Sequence, residues 1–298
     1  MPGAVDDVDS GVEARGKADA VEQARGYVIQ GDARSLATLV TQPVHLIVTS
    51  PPYPMIAMWD DCFTKMDPSI LKPEEWKVDT VQTVFEKMHA QLDVVWQQMS
   101  QVVVPGGIVA INVGDAARRV DECFQSFPNA ARITIGMLAA GFVALPNIYW
   151  KKPTNKPNAF LGSGFLPVNA YVTMDCEHIL LFRKGTVRRF SRDEKLARKH
   201  STFSKAERDV WFSQTWTDIP GAPQHTVGDR RTGAYPIAIP ERLIRMFSIQ
   251  GDTVLDPFVG TGTTCEAAQR LKRNPIGVEI HPAFCDAAMS KHGRGATA

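Results

Sequence analysis

The chain has 298 residues, of which 44% are hydrophobic, and its formal net charge at pH 7 is +1. This length and apolar content are enough for a sizeable core, arranged as one large domain or as one domain with an insertion. The near-zero net charge excludes a global basic signature, so any surface that binds a polyanion must be local.

Cysteine usage and hydropathy limit the classes of protein to which the chain can belong. The five cysteines are scattered and form no C-x-x-C pair, which is typical of reduced thiols and argues against a metal site. The N-terminus lacks the apolar core of a signal peptide, and no apolar run approaches the roughly 18 residues that a membrane span requires. We therefore expect a soluble intracellular protein, in the cytoplasm or nucleoid of a prokaryote or in a eukaryotic nucleus.

The chain begins with an acidic segment that lacks core residues. Residues 1–25 contain six acidic and three basic residues and almost no large apolar side chains, so we expect a flexible arm. The folded part should begin with a strand from Tyr27 that closes on Gly31 and Asp32. Asp32 then either caps a helix predicted over 33–39 or contacts a ligand at the strand end.

A short apolar run, Val44–Thr49, leads into Ser50, Pro51, Pro52 and Tyr53. The run is rich in β-branched residues and bounded by prolines, which predicts a buried parallel strand followed by stiff, extended backbone. Open α/β sheets bind their ligands at such strand ends. There the Ser50 hydroxyl and the Pro51 carbonyl can accept hydrogen bonds from a planar NH2 group, while Tyr53 offers a stacking face. The pattern favours a binding site for the exocyclic amine of a base, and a proline-rich turn without such a role is the alternative.

Strands and helices alternate through the middle of the chain. An apolar stripe at helical spacing predicts a long helix over 81–101. The other predicted elements are a strand over 108–115, a helix over 127–140, strands over 144–150 and 177–184, and a helix over 241–247. Alternation at this spacing indicates a doubly wound α/β sheet.

A second motif, near the C-terminus, combines a strand end, a glycine turn and a helix. The strand ending at Asp256 runs into Gly260 and Gly262, which permit a tight turn and a close approach of a ligand to the backbone. A following strand ends at Glu279, about 20 residues beyond the glycines, which is the spacing at which a carboxylate holds the two ribose hydroxyls. Together these features predict a site for a nucleoside cofactor.

The two motifs together resemble those of a known enzyme family. Ser-Pro-Pro-Tyr over 50–53 and Asp-Pro-Phe-Val-Gly-Thr-Gly-Thr-Thr over 256–264 look like the β class of S-adenosylmethionine-dependent DNA amino-methyltransferases, in which the catalytic half comes first. The resemblance covers most of residues 26–290. It implies a Rossmann-like, doubly wound α/β fold with a mostly parallel, seven-stranded methyltransferase sheet and an inserted DNA-recognition segment.

The resemblance divides the chain into a flexible arm over 1–25, a catalytic half over 26–184, a target-recognition segment over 185–230 and a cofactor-binding half over 231–298. It implies S-adenosylmethionine as the cofactor and catalytic roles for residues 50–53. The residues implied for cofactor binding are Asp32, Tyr235, Pro236, Asp256, Phe258, Gly260, Gly262, Thr263, Thr264, Glu279 and Ile280. Tyr-Pro-Ile stands at 235–237 where the family usually has His-Pro-Ala, which puts the side-chain contact with the methionine carboxylate in doubt.

Residues 183–208 carry the local positive charge that the whole chain lacks. Ten basic residues stand against three acidic ones, a balance of 10 − 3 = +7, with aromatic residues interleaved. Charge runs are often only solvated faces, but this one falls where the family has its target-recognition segment. We therefore expect it to bind double-stranded DNA through phosphates. The residues predicted to bind DNA are Lys151, Lys152, Arg188, Arg189, Arg192, Arg198 and Lys199.

The implied reaction is methyl transfer to the exocyclic N4 amine of a cytosine that is flipped out of a specific DNA sequence. Ser50 resembles the cytosine-N4 enzymes, whereas aspartate there is more usual for adenine-N6 enzymes, the nearest alternative. A nicotinamide dehydrogenase would leave Ser-Pro-Pro-Tyr unexplained. A non-catalytic DNA-binding pseudo-methyltransferase stays open because segment 235–237 is altered. The sequence leaves open whether the protein forms a homodimer.

Overall fold

The structure is built around one mixed sheet. The computed structural model describes residues 26–152, 163–164, 166–228, 230–293 and 295, so the arm predicted over 1–25 lies outside the described residues. The strands are β1 (Tyr27–Gln30), β2 (Val44–Thr49), β3 (Val103–Val113), β4 (Ala116–Val120), β5 (Cys123–Phe127), β6 (Phe142–Lys151), β7 (Cys176–Lys184), β8 (Thr215–Trp216), β9 (Thr226–Val227), β10 (Arg230–Arg231), β11 (Thr253–Asp256) and β12 (Asn274–Glu279). The α-helices are α1 (Leu36–Leu39), α2 (Asp60–Met66), α3 (Val81–Val102), α4 (Asn129–Ala139), α5 (Arg192–His200), α6 (Lys205–Trp211), α7 (Ala238–Phe247), α8 (Thr263–Arg270) and α9 (Pro282–His292).

Among the described residues, eight strands form the central sheet, in the order β1-β12-β11-β2-β3-β7-β6-β8. The strands from β1 to β3 in this order are parallel, and β7 inserts antiparallel between β3 and β6. This arrangement confirms the predicted mostly parallel α/β fold. The predicted count of seven strands is one short, because the two-residue strand β8 adds to the edge of the sheet beside Tyr149 and Trp150.

The alternating side chains of the central strands fill two separate core layers. In β2, Ile47 packs into the layer that contains the buried stripe of α3, whereas Leu46 and Val48 pack into the layer that contains α7 and α8. In β3, Ile111 packs into the layer that contains α3, and Ala110 packs into the other layer. Because successive strand residues point to opposite faces, a strand covered on both sides needs an uninterrupted apolar run. This is the physical reason that the run before Ser50 predicted its strand correctly.

The five parallel strands give the sheet two edges with different roles. We call the side on which β1, β2, β3, β11 and β12 end the carboxyl edge, and the side on which they begin the amino edge. Ligands of open α/β sheets bind at the carboxyl edge. Because β7 runs antiparallel to β3, His178 near its start pairs with Val113 at the carboxyl edge, while Arg183 near its end pairs with Ile108 toward the amino edge.

The predicted helices are present with shifted bounds. The long predicted helix is α3, and it ends one residue later than expected. The helix predicted over 33–39 is a 3-10 turn, Ala33–Ser35, continued by the single turn of α1. The helix predicted over 127–140 begins two residues late, because Phe127 ends β5 in a hairpin with β4 that the sequence did not predict. No described helix is long and apolar enough to cross a lipid bilayer.

The basic segment over 183–208 packs along the amino edge. Arg188 binds both carboxylate oxygens of Asp252, at 2.7 and 2.9 Å, and Asp252 directly precedes β11. The same guanidinium contacts Glu194 in the first turn of α5 at 2.7 Å. Just beyond α5, Ser201 accepts a hydrogen bond from the Gln250 backbone at 2.9 Å. These contacts fix α5 at the edge opposite the strand ends.

The Arg188–Asp252 pair predicts a structural role for an arginine that the sequence suggested for DNA binding. Only 16% of the Arg188 side chain and 4% of the Asp252 side chain are exposed. We expect Arg188→Met to lower the free energy of unfolding by about 2–4 kcal/mol, because it leaves the Asp252 carboxylate buried without its guanidinium. Urea titration of this variant beside Arg192→Met, which removes an exposed arginine of α5, provides the measurement. Equal stability of the two variants would contradict the structural role.

Candidate active site

An open pocket lies at the carboxyl edge, between the ends of β1, β2, β11 and β12. About 1040 Å³ of space lies within it, including open solvent at its mouth. Both sequence motifs line it, although they are far apart in the chain. The predicted site residues on its wall are Asp32, Ser50, Pro52, Tyr235, Asp256, Phe258, Gly260, Thr263, Thr264, Glu279 and Ile280. Those that are not on the wall are Pro51, Tyr53, Pro236 and Gly262.

The glycine turn adopts backbone conformations that favour glycine. Gly260 and Gly262 have φ angles of +55° and +97°, in the left-handed region that residues with a Cβ rarely adopt. A Cβ on Gly260 would meet nothing within 4 Å, whereas one on Gly262 would lie 2.7 Å from the His292 ring. Gly260 therefore keeps the backbone open toward the pocket, while Gly262 begins α8 and allows α9 to pack closely.

Glu279 ends β12 with its carboxylate held from two sides. Its Oε2 accepts a hydrogen bond from the Gly260 N–H at 2.9 Å, and its Oε1 accepts one from the His281 N–H at 2.8 Å. Burial raises the pKa of this carboxyl, against the lowering effect of these backbone donors. Each carboxylate oxygen can accept a further hydrogen bond, so the group has capacity left for two hydroxyls of a ligand.

Asp256 is buried at the centre of the site and joins the two motifs. Its Oδ1 accepts hydrogen bonds from Thr49 Oγ1 at 2.6 Å and from the Phe258 N–H at 3.0 Å. Its Oδ2 accepts one from Thr264 Oγ1 at 2.5 Å, and Tyr235 Oη lies within hydrogen-bonding reach of both Thr264 and Asp256. Burial raises the pKa of Asp256 to about 6, although all four donors lower it.

Asp32 caps its helix, which was one of the two interpretations of the sequence. Its Oδ1 accepts a hydrogen bond from the Arg34 N–H at 2.8 Å, and the Arg34 guanidinium contacts its Oδ2 at 2.7 Å. The residue also lies on the pocket wall beside Gly31 and Ala33. Its contact with a ligand therefore stays a prediction.

The Ser-Pro-Pro-Tyr segment turns back on itself as it leaves β2. Ser50 and Pro52 lie on the pocket wall, and Tyr53 folds over so that its Oη is 2.9 Å from Ser50 Oγ. The Tyr53 ring is partly buried, and a Cβ on Gly114 would lie 3.4 Å from it. A larger residue at 114 would thus crowd the tyrosine, so Gly114 leaves room for this conformation.

Two polar residues that the sequence analysis did not single out complete the cluster. Asn112 Nδ2 donates hydrogen bonds to Tyr53 Oη at 2.9 Å and to Glu177 Oε2 at 2.7 Å. Tyr53 Oη donates to Glu177 Oε2 at 3.2 Å, and Lys152 forms an ion pair with the other oxygen of Glu177. Burial and, next, the charge of Glu177 raise the pKa of the Tyr53 phenol well above its ordinary value. The one available signal was a polar residue, Asn112, inside the apolar run of β3.

Other walls of the pocket come from elements without a recognisable motif. Trp59 and Cys62 contribute from the segment after Tyr53, and Leu92 contributes from the α3 stripe that was predicted as core. Gly233 also lines the pocket and packs against Trp59, since a Cβ on it would lie 2.9 Å from the indole. Apolar side chains at helical spacing form the same pattern whether they face a core or a ligand, so this distinction could not be predicted from the sequence.

The predicted DNA-binding residues divide between the two edges of the sheet. Lys151 ends β6 at the carboxyl edge, where it pairs with Asp175 at 3.5 Å, and Lys152 follows it. The structure does not bring the other five to this edge, because β7 carries the chain to the amino edge before the basic segment begins. Contact of Arg188, Arg189, Arg192, Arg198 and Lys199 with DNA therefore stays a prediction.

Comparison with known proteins gives consistent matches over most of the chain. A family model described as DNA methylase, for N6 and N4 enzymes, matches residues 44–290. The Type II methyltransferase M.MjaI of Methanocaldococcus jannaschii is 52% identical over 262 residues, which cover 85% of this chain and 86% of the relative. The Type II methyltransferase M.MthZI of Methanothermobacter thermautotrophicus is 44% identical over 259 residues, which cover 85% and 72%.

Two solved structures share the architecture. The structure of TTHA0409 from Thermus thermophilus, complexed with S-adenosyl-L-methionine, is similar with a TM-score of 0.68 and 32% identity, covering 90% of this chain and 94% of that one. The PvuII DNA methyltransferase, described as cytosine-N4-specific, is similar with a TM-score of 0.60 and 18% identity, covering 89% and 86%. At that identity the second likeness shows a common fold.

The raised pKa of Asp256 predicts a pH dependence of stability. Because the folded state binds this proton more tightly than the unfolded chain, the Asp256 contribution to the free energy of unfolding falls as pH rises from about 4 to about 6. We expect wild type to lose about 2 kcal/mol relative to Asp256→Asn across this window, since a full pKa unit is worth about 1.4 kcal/mol and both ends of the window are partly titrated. Urea titrations at several pH values measure the difference, with the exposed Asp209→Asn as control. A stability difference that does not change with pH would contradict the prediction.

Proposed function

The chain belongs to the DNA methylase family of N6 and N4 amino-methyltransferases, and we propose that it methylates the N4 amine of cytosine in double-stranded DNA. The observation that carries this proposal is the position of Ser50 on the wall of the pocket that the glycine turn also lines. A group that can accept hydrogen bonds from an amine thus adjoins a site suited to a nucleoside cofactor.

The residues of the pocket fit S-adenosylmethionine, the methyl donor of this family. When bound, it supplies an electrophilic methyl group on a positively charged sulfur. Glu279 has free acceptor capacity for the ribose hydroxyls, and Gly260 leaves its backbone open to the ligand. Asp32 lies on the same wall for the adenine amine, and the buried Asp256 carboxylate favours a cation nearby. The chemistry of this donor set therefore suits a cationic nucleoside.

To catalyse this reaction, the protein must activate a poor nucleophile. The N4 lone pair of cytosine is delocalised into the ring, so the amine must become pyramidal before it can attack. Hydrogen bonds from its two N–H groups to Ser50 Oγ and the Pro51 carbonyl favour that geometry, and Tyr53 offers its ring for stacking. Attack on the methyl group is then direct, with no covalent enzyme intermediate, and most of the rate comes from positioning. The proton leaves the methylated amine afterwards.

Residue 50 is the basis for choosing cytosine. An aspartate there would resemble the adenine-N6 enzymes, and this chain has a serine. Both bases present an exocyclic amine beside a ring nitrogen, so adenine-N6 methylation is the second candidate. The family match is compatible with either base.

Duplex DNA must present the base at the carboxyl edge, because the pocket opens there. The target must leave the base stack to reach Ser50. Lys151 and Lys152 lie at this edge, Arg230 lines the pocket, and the exposed Arg231 follows it in the chain. Contacts of these four residues with phosphates would make DNA affinity fall steeply with salt.

Replacement of the serine tests the proposed holding of the amine. We expect Ser50→Ala to lower the rate of methyl transfer by roughly a hundredfold, comparable to the loss of one preorganised hydrogen-bonding partner in other enzymes. The affinity for S-adenosylmethionine, measured by calorimetry, should stay nearly unchanged, as it should in the exposed control Ser290→Ala. Loss of cofactor affinity in Ser50→Ala would contradict the assignment.

Product analysis tests the choice of base. Pure protein is incubated with S-adenosylmethionine and mixed-sequence duplex DNA that was amplified in vitro, and the digested nucleosides are analysed by mass spectrometry. We expect N4-methylcytosine. N6-methyladenine would keep the mechanism but overturn the reading of Ser50, and the absence of both products with intact cofactor binding would contradict the proposed function.

A further inference from the structure

The Ser50 hydroxyl is one end of a chain of hydrogen bonds that leads to a carboxylate. Ser50 Oγ lies 2.9 Å from Tyr53 Oη, and Tyr53 Oη lies 3.2 Å from Glu177 Oε2. Asn112 Nδ2 bridges the last two groups, at 2.9 and 2.7 Å. Glu177 itself does not line the pocket, so it can act on a substrate only through these neighbours.

The available protons fix the direction of each hydrogen bond in this chain. An ionised carboxylate can only accept, and a phenol has one proton to donate. If Tyr53 gave that proton to Ser50, its Oη and Glu177 Oε2 would face each other at 3.2 Å with no proton between them. The carboxylate is also the stronger acceptor, because a charged partner roughly doubles the strength of a hydrogen bond. The phenolic proton therefore lies toward Glu177.

The position of the Tyr53 proton also determines the direction of the hydrogen bond between Tyr53 and Ser50. With its proton directed to Glu177, Tyr53 Oη accepts from the Asn112 amide and also from the Ser50 hydroxyl. The serine proton then points away from the pocket, and the lone pairs of Ser50 Oγ are left for the substrate.

We propose that Glu177 is a positioning residue that, through Tyr53, orients the Ser50 hydroxyl as an obligate acceptor for the amine of the target base. This inference rests on the proposed function and deepens it. A serine hydroxyl is by itself both donor and acceptor, whereas an amine N–H needs an acceptor. An aspartate at position 50 would be a hydrogen-bond acceptor by itself. Here the hydrogen-bond chain from Glu177 makes the serine hydroxyl an acceptor.

The surroundings hold the Glu177 carboxylate in place. Its side chain is 13% exposed, and Lys152 pairs with the oxygen that does not contact Tyr53. The register places Glu177 opposite Trp150 on β6, and His178 after it pairs across the sheet with Val113. The carboxylate is thereby fixed between two strands rather than carried on a loop.

A double-mutant cycle tests the proposal. Single-turnover methylation of in-vitro-amplified mixed-sequence duplex DNA is measured with a radioactive methyl group on S-adenosylmethionine. We expect Glu177→Gln and Tyr53→Phe each to slow methyl transfer by about tenfold to a hundredfold, the range for one hydrogen bond to a charged group. The double variant should be no slower than the slower single variant, since either change breaks the same chain.

The controls separate orientation from general damage. Cofactor affinity should match wild type in all three variants, because neither residue lines the pocket. Glu86→Gln changes a glutamate of α3 that, like Glu177, is ion-paired, in this case with Arg132, and it should leave the rate unchanged. A wild-type rate in Glu177→Gln, or additive losses in the double variant, would overturn the proposal.

A second measurement does not depend on activity. In protein with 13C-labelled tyrosine, the Cζ resonance of Tyr53, assigned through Tyr53→Phe, reports how strongly its proton is drawn toward an acceptor. It should shift in Glu177→Gln and not in Glu86→Gln. An unchanged resonance would overturn the proposal even in an active enzyme. If wild type methylates no DNA, the proposed function fails, and the resonance still decides the orientation of the hydroxyl.

Discussion

The site depends on one buried carboxylate, Asp256, which holds together two segments from opposite ends of the chain. Thr49, the last residue of β2, donates to one of its oxygens, and Thr264, in the first turn of α8, donates to the other. Ser50 follows Thr49 directly, so the pocket residue proposed to hold the substrate is anchored to the glycine turn on the same pocket wall. The burial that makes this anchor rigid also raises the pKa of Asp256, because a dry environment disfavours the charge. Precise placement is obtained here at some cost to stability above pH 4.

The sequence predicted the architecture well because the fold rests on local patterns. The apolar run of β2 and the stripe of α3 have the periods of a doubly covered strand and a half-buried helix, and both elements formed as expected. The glycine turn was recognisable because Gly260 and Gly262 occupy backbone conformations that exclude most residues. The hairpin of β4 and β5 was missed, because an exposed two-stranded ribbon carries no apolar period of its own.

The parts that sequence could not supply are relations between distant residues. No residue near Arg188 in the chain indicates that Asp252 will pair with it, so the sequence could not predict this ion pair. The antiparallel direction of β7 decides on which edge that run emerges, and strand direction is a property of the whole sheet. Glu177 was overlooked for the same reason, since its importance comes from lying beside Tyr53 and Asn112. Local motifs pointed to the candidate residues of the pocket, and only the fold showed which distant residues contact them.

The interleaved strand order also bears on how this chain reaches its folded state during synthesis. Among the described strands β1 pairs with β12, and β11 pairs with both β12 and β2, so the last strands to leave the ribosome lie between β1 and β2. Until they arrive, β1 has no neighbour and one side of β2 has an open row of backbone donors and acceptors, the arrangement that invites wrong pairing. Pairing across such a separation also makes folding slow. A nascent chain truncated before β11 would therefore lack the binding pocket and expose an unpaired strand edge that is prone to aggregation. Synthesis of β11 and β12 is thus required before the native sheet can form.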